Sequence, residues 1–309
     1  MAGITRAEVA SLISEEYSGQ TIKAATQGST ALQAFPTVNM GTKTRNMPVL
    51  ATIPEASWVS DTDNTGVKGQ SKATWANQTL VAEELAVIVP VHENTLDDAN
   101  EDILSDLSAL GGQAIGKALD EAIFFGTNKP TSWTSLDLLA ASVAAGHTVE
   151  VVDGVAQKDD IWGAAMQVAG LVSDAGFDAS TAIAKRSLAF SLANLRNGNG
   201  DPVLTDSGLR GLDTYWSRNG AWDSTAATVL IADPSTVRIG VRQDVTVKFL
   251  DQATIGDGAG GLISLAERDM VALRFKARFA YVLGQVATPE TGARSYGVGA
   301  VTPASTETP

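Results

Sequence analysis

Residues 50–126 read LATIPEASWVSDTDNTGVKGQSKATWANQTLVAEELAVIVPVHENTLDDANEDILSDLSALGGQAIGKALDEAIFFG. Strand formers such as Ile53, Trp58 and Val59 mix with turn residues up to the run DTDNTGVKG (61–69), which reverses the chain. A return strand through Trp75, Leu80 and Val81 leads into LAVIVPV (85–91), where alternation passes into a continuous apolar run, so burial is expected to rise along it. The outer half is a projecting hairpin. Two strands alone are marginal in water, so the hairpin either lies on another surface or is an ordinary surface feature.

The same stretch then turns helical. Glu101 and Asp102 place negative charge at a helix N-terminus, and Ile103, Leu104, Leu107, Leu110, Ile115, Leu119, Ile123 and Phe124 recur at helical spacing up to a stop at Gly126. About 25 residues at 1.5 Å each give roughly 37 Å. Gly111-Gly112 interrupt it, each costing about 1 kcal/mol relative to Ala, and mark the place for a bend.

Downstream the pattern is more broken. Residues 127–158 read as loop and short extended pieces. A helix carrying Ile161, Trp162, Met166, Val168, Leu171 and Val172 is capped by Asp159-Asp160 and ends at Gly176. A strand at 181–184, a helix at 187–195 and strands at 202–204, 214–217, 227–232 and 245–250 follow, which is α+β rather than a βαβ repeat. LISLAERDMVALRFKARFAYVLGQV (262–286) reads as long strands able to pair with early ones. Residues 36–50, 85–130 and 236–290 then form one domain interrupted by a unit at 131–235. From Thr288 onward Gly, Pro, Thr and Ser dominate, which reads as a loose tail.

Composition excludes several functions. The chain has 309 residues and is 44% hydrophobic, enough for a substantial core. With no cysteine, disulfides, Cys-ligated zinc and thiol catalysis are out. A net charge of −13, from 22 basic and 35 acidic residues, is the wrong sign for gripping nucleic acid phosphates along a broad face. Neither a membrane span nor a signal peptide is visible, so the expected location is the cytosol.

Two motifs tempt. GGQAIGK (111–117) has phosphate-loop spacing, but Ala118 replaces the magnesium-binding Ser or Thr, and helical periodicity continues on both sides. GDGAGG (256–261) fits GxGxxG but is followed by strand character and reads as a hairpin tip. His92 and His147 are far apart, leaving no HExxH helix or paired-histidine metal site. No cofactor, metal or catalytic residue is assigned.

The order of these parts, with VHENTLDDA (91–99) before the long helix and LANLRNGNGDPVLTDSGLRGL (192–212) after it, resembles the major capsid protein of tailed double-stranded DNA bacteriophages, the HK-ninety-seven-like fold. The resemblance implies an N-terminal arm (1–49), an E-loop hairpin (50–88), a peripheral domain (89–130 and 236–290) containing a spine helix (100–125), an axial domain (131–235) and a C-terminal tail (291–309). It implies a self-assembling subunit of pentamers and hexamers in an icosahedral virion, without catalytic activity, enclosing DNA without reading its sequence. Trp58 and Trp75 are then candidate intersubunit anchors, since aromatic residues dominate interface energies; the alternative is that they pack only on each other across the hairpin.

Some relatives join subunits by an isopeptide bond between an E-loop lysine and a peripheral-domain asparagine. Lys68 or Lys72 fits the lysine, but no asparagine follows Asn219, so a non-crosslinked shell held by arm overlap or a cementing protein is expected. Relatives also bend the spine helix in a precursor shell, which puts Gly111 and Gly112 at the hinge. The resemblance further implies a separate scaffold and a portal. An encapsulin-like compartment and, less favoured, a nucleotide-binding enzyme using Gly111 to Lys117 are the alternatives.

Overall fold

The computed structural model describes residues 28–56, 70–94, 103–151, 159–193, 208–209, 211–256 and 261–303. In chain order come helix α1 (Thr30–Ala34), strands β1 (Thr37–Asn39), β2 (Thr44–Thr52), β3 (Thr74–Val81) and β4 (Glu83–His92), and the long helix α2 (Ile103–Phe125). Next are α3 (Leu138–Ala145), β5 (Thr148–Glu150), α4 (Asp159–Asp174), β6 (Thr181–Lys185), α5 (Arg186–Ala193), β7 (Asp213–Ser217), β8 (Val229–Ala232) and β9 (Val237–Leu250). The last are β10 (Thr254–Gly256), β11 (Leu262–Ser264), β12 (Met270–Leu283), β13 (Gln285–Ala287), β14 (Arg294–Tyr296) and β15 (Val298–Thr302).

Two sheets share one core. The first has the order β1-β9-β12-β4, with the long strand β12 antiparallel to both neighbours. Its inner face presents Leu273, Phe275, Ala277 and Phe279 with Val245 and Val247, and these pack on Ile115, Leu119 and Ile123 of α2. Full burial of each such side chain is worth about 1.5–3 kcal/mol, which is what holds the amphipathic helix down. The second sheet has the order β5-β15-β8-β6-β7. One face, with Ala182, Ala184, Val229, Ile231 and Val301, packs on α4 and α5. The other, with Ile183, Leu230 and Ala300, joins the same core as α2.

Three expectations need correction. The segment read as loop contains α3, because Asp137 caps it by accepting the Ala140 N–H at 3.0 Å and Gly146 ends it in the left-handed conformation. LLAASVAA is apolar all round, so it carries no helical periodicity to read.

The presumed tail is structural. β15 runs inside the second sheet, parallel to β5 and antiparallel to β8, and Val298 to Val301 are buried. Its Gly299 is needed: a Cβ there would stand 2.4 Å from a Val168 methyl of α4. Gly and Ala are weak strand formers, and the burial that stabilises them here comes from tertiary contact.

Burial does not rise along β4 either. It alternates strictly from Glu83 to His92, since β4 is an edge strand with one covered face.

Candidate assembly elements

β2 and β3 pair antiparallel, Thr44 with Val81 through Leu50 with Trp75, as a two-stranded sheet. Its root is fixed. Leu80 and Ala82 are buried with Met40, Ala280 and Val282, and the Trp133 indole donates to the Val81 carbonyl at 2.9 Å. Farther out β2 runs beside β13, with Val49 and Leu50 half-buried, while alternate positions of β3 open to solvent. Trp75 is 67% exposed, and Lys72 is exposed. Trp58 and Lys68 lie outside the described residues.

Helix α2 is continuous from Ile103 to Phe125, through both glycines of the candidate hinge, and Gly126 ends it at φ +69°. Gly111 has a packing reason of its own: a Cβ there would meet the Phe275 ring at 2.8 Å. One turn and a residue later Gly116 admits the chain at Gly28 and Ser29, where a Cβ would meet backbone at 2.9 Å. The phosphate-loop reading fails here. Backbone N–H groups inside a helix are already used, and Lys117 pairs with Glu121 at 3.6 Å one turn on.

The same side of α2 carries a feature that the sequence reading missed. Asp120 is fully buried, beside the core residues Leu119 and Ile123. Its carboxylate accepts from Ser29 Oγ at 2.7 Å, Thr30 N at 2.8 Å, Ala31 N at 3.0 Å and Asn219 Nδ2 at 2.7 Å. Three parts of the chain thus meet on one side chain: the entry to α1, the long helix and the turn after β7. Burial is the largest influence on this carboxyl and raises its pKa, while the hydrogen bonds from Ser29, Ala31, Thr30 and Asn219 oppose the rise. An acidic residue on the apolar stripe of a helix was the available signal, since a buried carboxylate needs donors. An open polar cleft of about 350 Å³, lined in part by Gln33, Gln113, Trp216 and Arg218, lies next to this junction.

The histidines stay apart. His147 is buried, its Nδ1 3.0 Å from the Val298 carbonyl, whereas His92 ends β4 opposite Met270. Among the described residues no group of three His, Asp or Glu is placed to hold a metal, and no described helix is long and apolar enough to cross a membrane. GDGAGG falls between the antiparallel strands β10 and β11, so the hairpin is observed, with residues 257–260 outside the described set.

The described elements are thus a long helix clamped to a sheet, a second sheet sharing the same core and a two-stranded hairpin buried at its root. The model of the phage capsid family matches residues 10–287. Among solved structures, a chain from Mycobacterium phage Cain is 55% identical with a TM-score of 0.82, covering 99% of this chain and 100% of that one. A chain from Mycobacterium phage Adephagia is 54% identical with a TM-score of 0.83 and the same coverage. One from Microbacterium phage Oxtober96 is 40% identical with a TM-score of 0.78, covering 90% of this chain and 91% of that one. The comparison with curated proteins finds no match. The chain belongs to the phage capsid family and is a major capsid protein, located in the virion capsid and self-assembling into its shell.

Proposed function

We propose that copies of the chain form the pentamers and hexamers of an icosahedral phage head around double-stranded DNA, assembled in the host cytoplasm with a separate scaffold and a portal. Within this reading β2 and β3 belong to the E-loop, which then starts near Thr44 instead of 50 and ends near Val81 instead of 88; α2 is the spine helix, the first sheet with β4 forms the peripheral domain, and the second sheet, including β15, forms the axial domain. The observation that carries it is the hairpin. Its root is buried under Trp133 and beside Ala280, whereas Trp75 stands 67% exposed. A shell needs elements that reach over neighbours, because specific interfaces bury about 1,600 Å² and each subunit must make several. The hinge at Gly111-Gly112 belongs to the same proposal: bending α2 there would part Gly111 from Phe275, so a precursor and an expanded shell would differ at this contact.

Replacing residues 53–73 with an Asn-Gly turn tests the reading. The shortened subunit is expected to unfold at the temperature of the full chain and to form no shells on electron micrographs. Shells of ordinary shape from the shortened subunit would overturn the role given to the hairpin.

A further inference from the structure

The outer face of the first sheet, opposite α2, is unlike the rest of this acidic chain. Its two ends are covered. Ala272 lies under Ile255 and Leu265 at one end, and Ala280 and Val282 lie under Met40 and Leu80 at the other. Between them, over about eight residues and therefore roughly 26 Å of β12, the alternate positions Arg274, Lys276 and Arg278 point outward. Lys248 of β9 stands directly opposite Arg274. Like charges directly across a strand pair repel, so this arrangement costs stability in the lone subunit.

Neutralisation within the subunit is incomplete. Among the described residues Glu84 is the carboxylate that pairs with the ladder, 2.6 Å from Lys276 and 3.8 Å from Arg278. Among the described residues Arg274 feels Glu84 through space but, like Lys248, makes no ion pair within 4 Å, and Nε of both Arg274 and Arg278 is buried without a hydrogen-bond partner. Apolar groups share the face, with Ile88 beside Arg274 and 43% exposed. Arginine beside aliphatic surface is suited to a carboxylate-bearing polypeptide, which can supply bidentate acceptors and apolar contact together. A polyanionic duplex fits less well, because the net charge of −13 opposes its approach.

We infer that this walled basic face of the first sheet is an intersubunit dock, occupied in the shell by a carboxylate-bearing segment of a second copy of the chain. It rests on copies meeting in a shell and adds the face and the chemistry of the contact. A subunit with 35 acidic and 22 basic residues has carboxylates to offer a neighbour and few cations to receive them. Concentrating four cations against one carboxylate on this face gives copies a defined way to meet despite their overall repulsion.

The test is to co-assemble unlabelled and isotope-labelled copies, couple ammonium to carboxylate with a carbodiimide, and identify joined peptides by mass spectrometry. Mixed-isotope peptides at Lys248 or Lys276 are expected. Arg274→Glu with Lys248→Glu should keep the fold but lower assembly by about tenfold, with Arg274→Gln and Lys248→Gln intermediate. Same-isotope peptides alone on this face would overturn the dock, as would wild-type assembly by a correctly folded charge-reversed variant. Tight binding of short duplex DNA that depends on Arg274 and Lys248 would also overturn it, in favour of nucleic acid. If wild-type copies form shells while these readouts fail, the dock alone is wrong; if wild-type copies form none, the shell reading itself fails.

Discussion

The carboxylate of Asp120 on the long helix receives the amide of Asn219 at 2.7 Å, joining residues 99 positions apart inside the protein. The same amide also donates to the Gly28 carbonyl, and Ser29, Thr30 and Ala31 complete the set of donors on Asp120. This junction ties the entry of the chain and the second sheet to the helix that carries the first. Asp120→Asn replaces an acceptor-only group with one whose own N–H groups face donors. It should destabilise the subunit by about 2 kcal/mol in urea unfolding.

The pH dependence of that loss has a definite sign. The Asp120 pKa is raised in the folded protein because burial outweighs the hydrogen bonds that hold the carboxylate charged, so ionising it costs more in the folded than in the unfolded chain. Its stabilising contribution is complete below the ordinary carboxylate value of about 3.9 and is lost as pH rises through the folded pKa. The gap between wild type and Asp120→Asn should therefore widen as pH falls from neutrality. Equal gaps across the acidic range would contradict the assignment.

Gly111→Ala separates two accounts of the same residue. By helix propensity alone it should stabilise by about 1 kcal/mol. With Phe275 in the way it should instead cost about 1–3 kcal/mol less that gain, and the thermal midpoint of the unassembled subunit should fall. A raised midpoint would show that the ring yields.

Trp75→Ala should leave subunit unfolding almost unchanged, because the indole is 67% exposed. As an interface anchor it should weaken assembly by about 2 kcal/mol, roughly a thirtyfold rise in the concentration needed for shells. An unchanged threshold would assign Trp75 to the surface of the hairpin alone.

Covalent joining of subunits is not expected. Lys72 is exposed, but the part of the peripheral domain at 236–290, where the resemblance places the acceptor loop, contains no asparagine to receive it or Lys68. Denaturing gels of virions should show a single capsid band, and a ladder of multiples would refute this.

What the sequence showed depended on where local pattern and tertiary context agree. The long helix was legible because its apolar spacing and Gly126 are local signals; the hairpin was read with its first strand at about 50–59, whereas β2 is Thr44–Thr52, and the turn run 61–69 lies outside the described residues. α3 was hidden because Leu138 to Ala145 is apolar on every side, and β15 because Gly299 and Ala300 are strand residues only where Val168 and β8 bury them. Asp120 was passed over as one acidic residue among many. Its donors come from Ser29 and Asn219, and nothing in local spacing brings those two together. Gly111 was noticed only as a weakness in the helix; that the Phe275 ring from β12 occupies the space its side chain would take is a long-range contact that local spacing does not announce.

Electron microscopy of the protein expressed alone and with its neighbouring genes tests the central claim most directly. Closed shells, or rings of five and six copies, are the predicted result. A homogeneous monomer under every condition, with the chain folded, would contradict the account of this protein as a self-assembling capsid subunit.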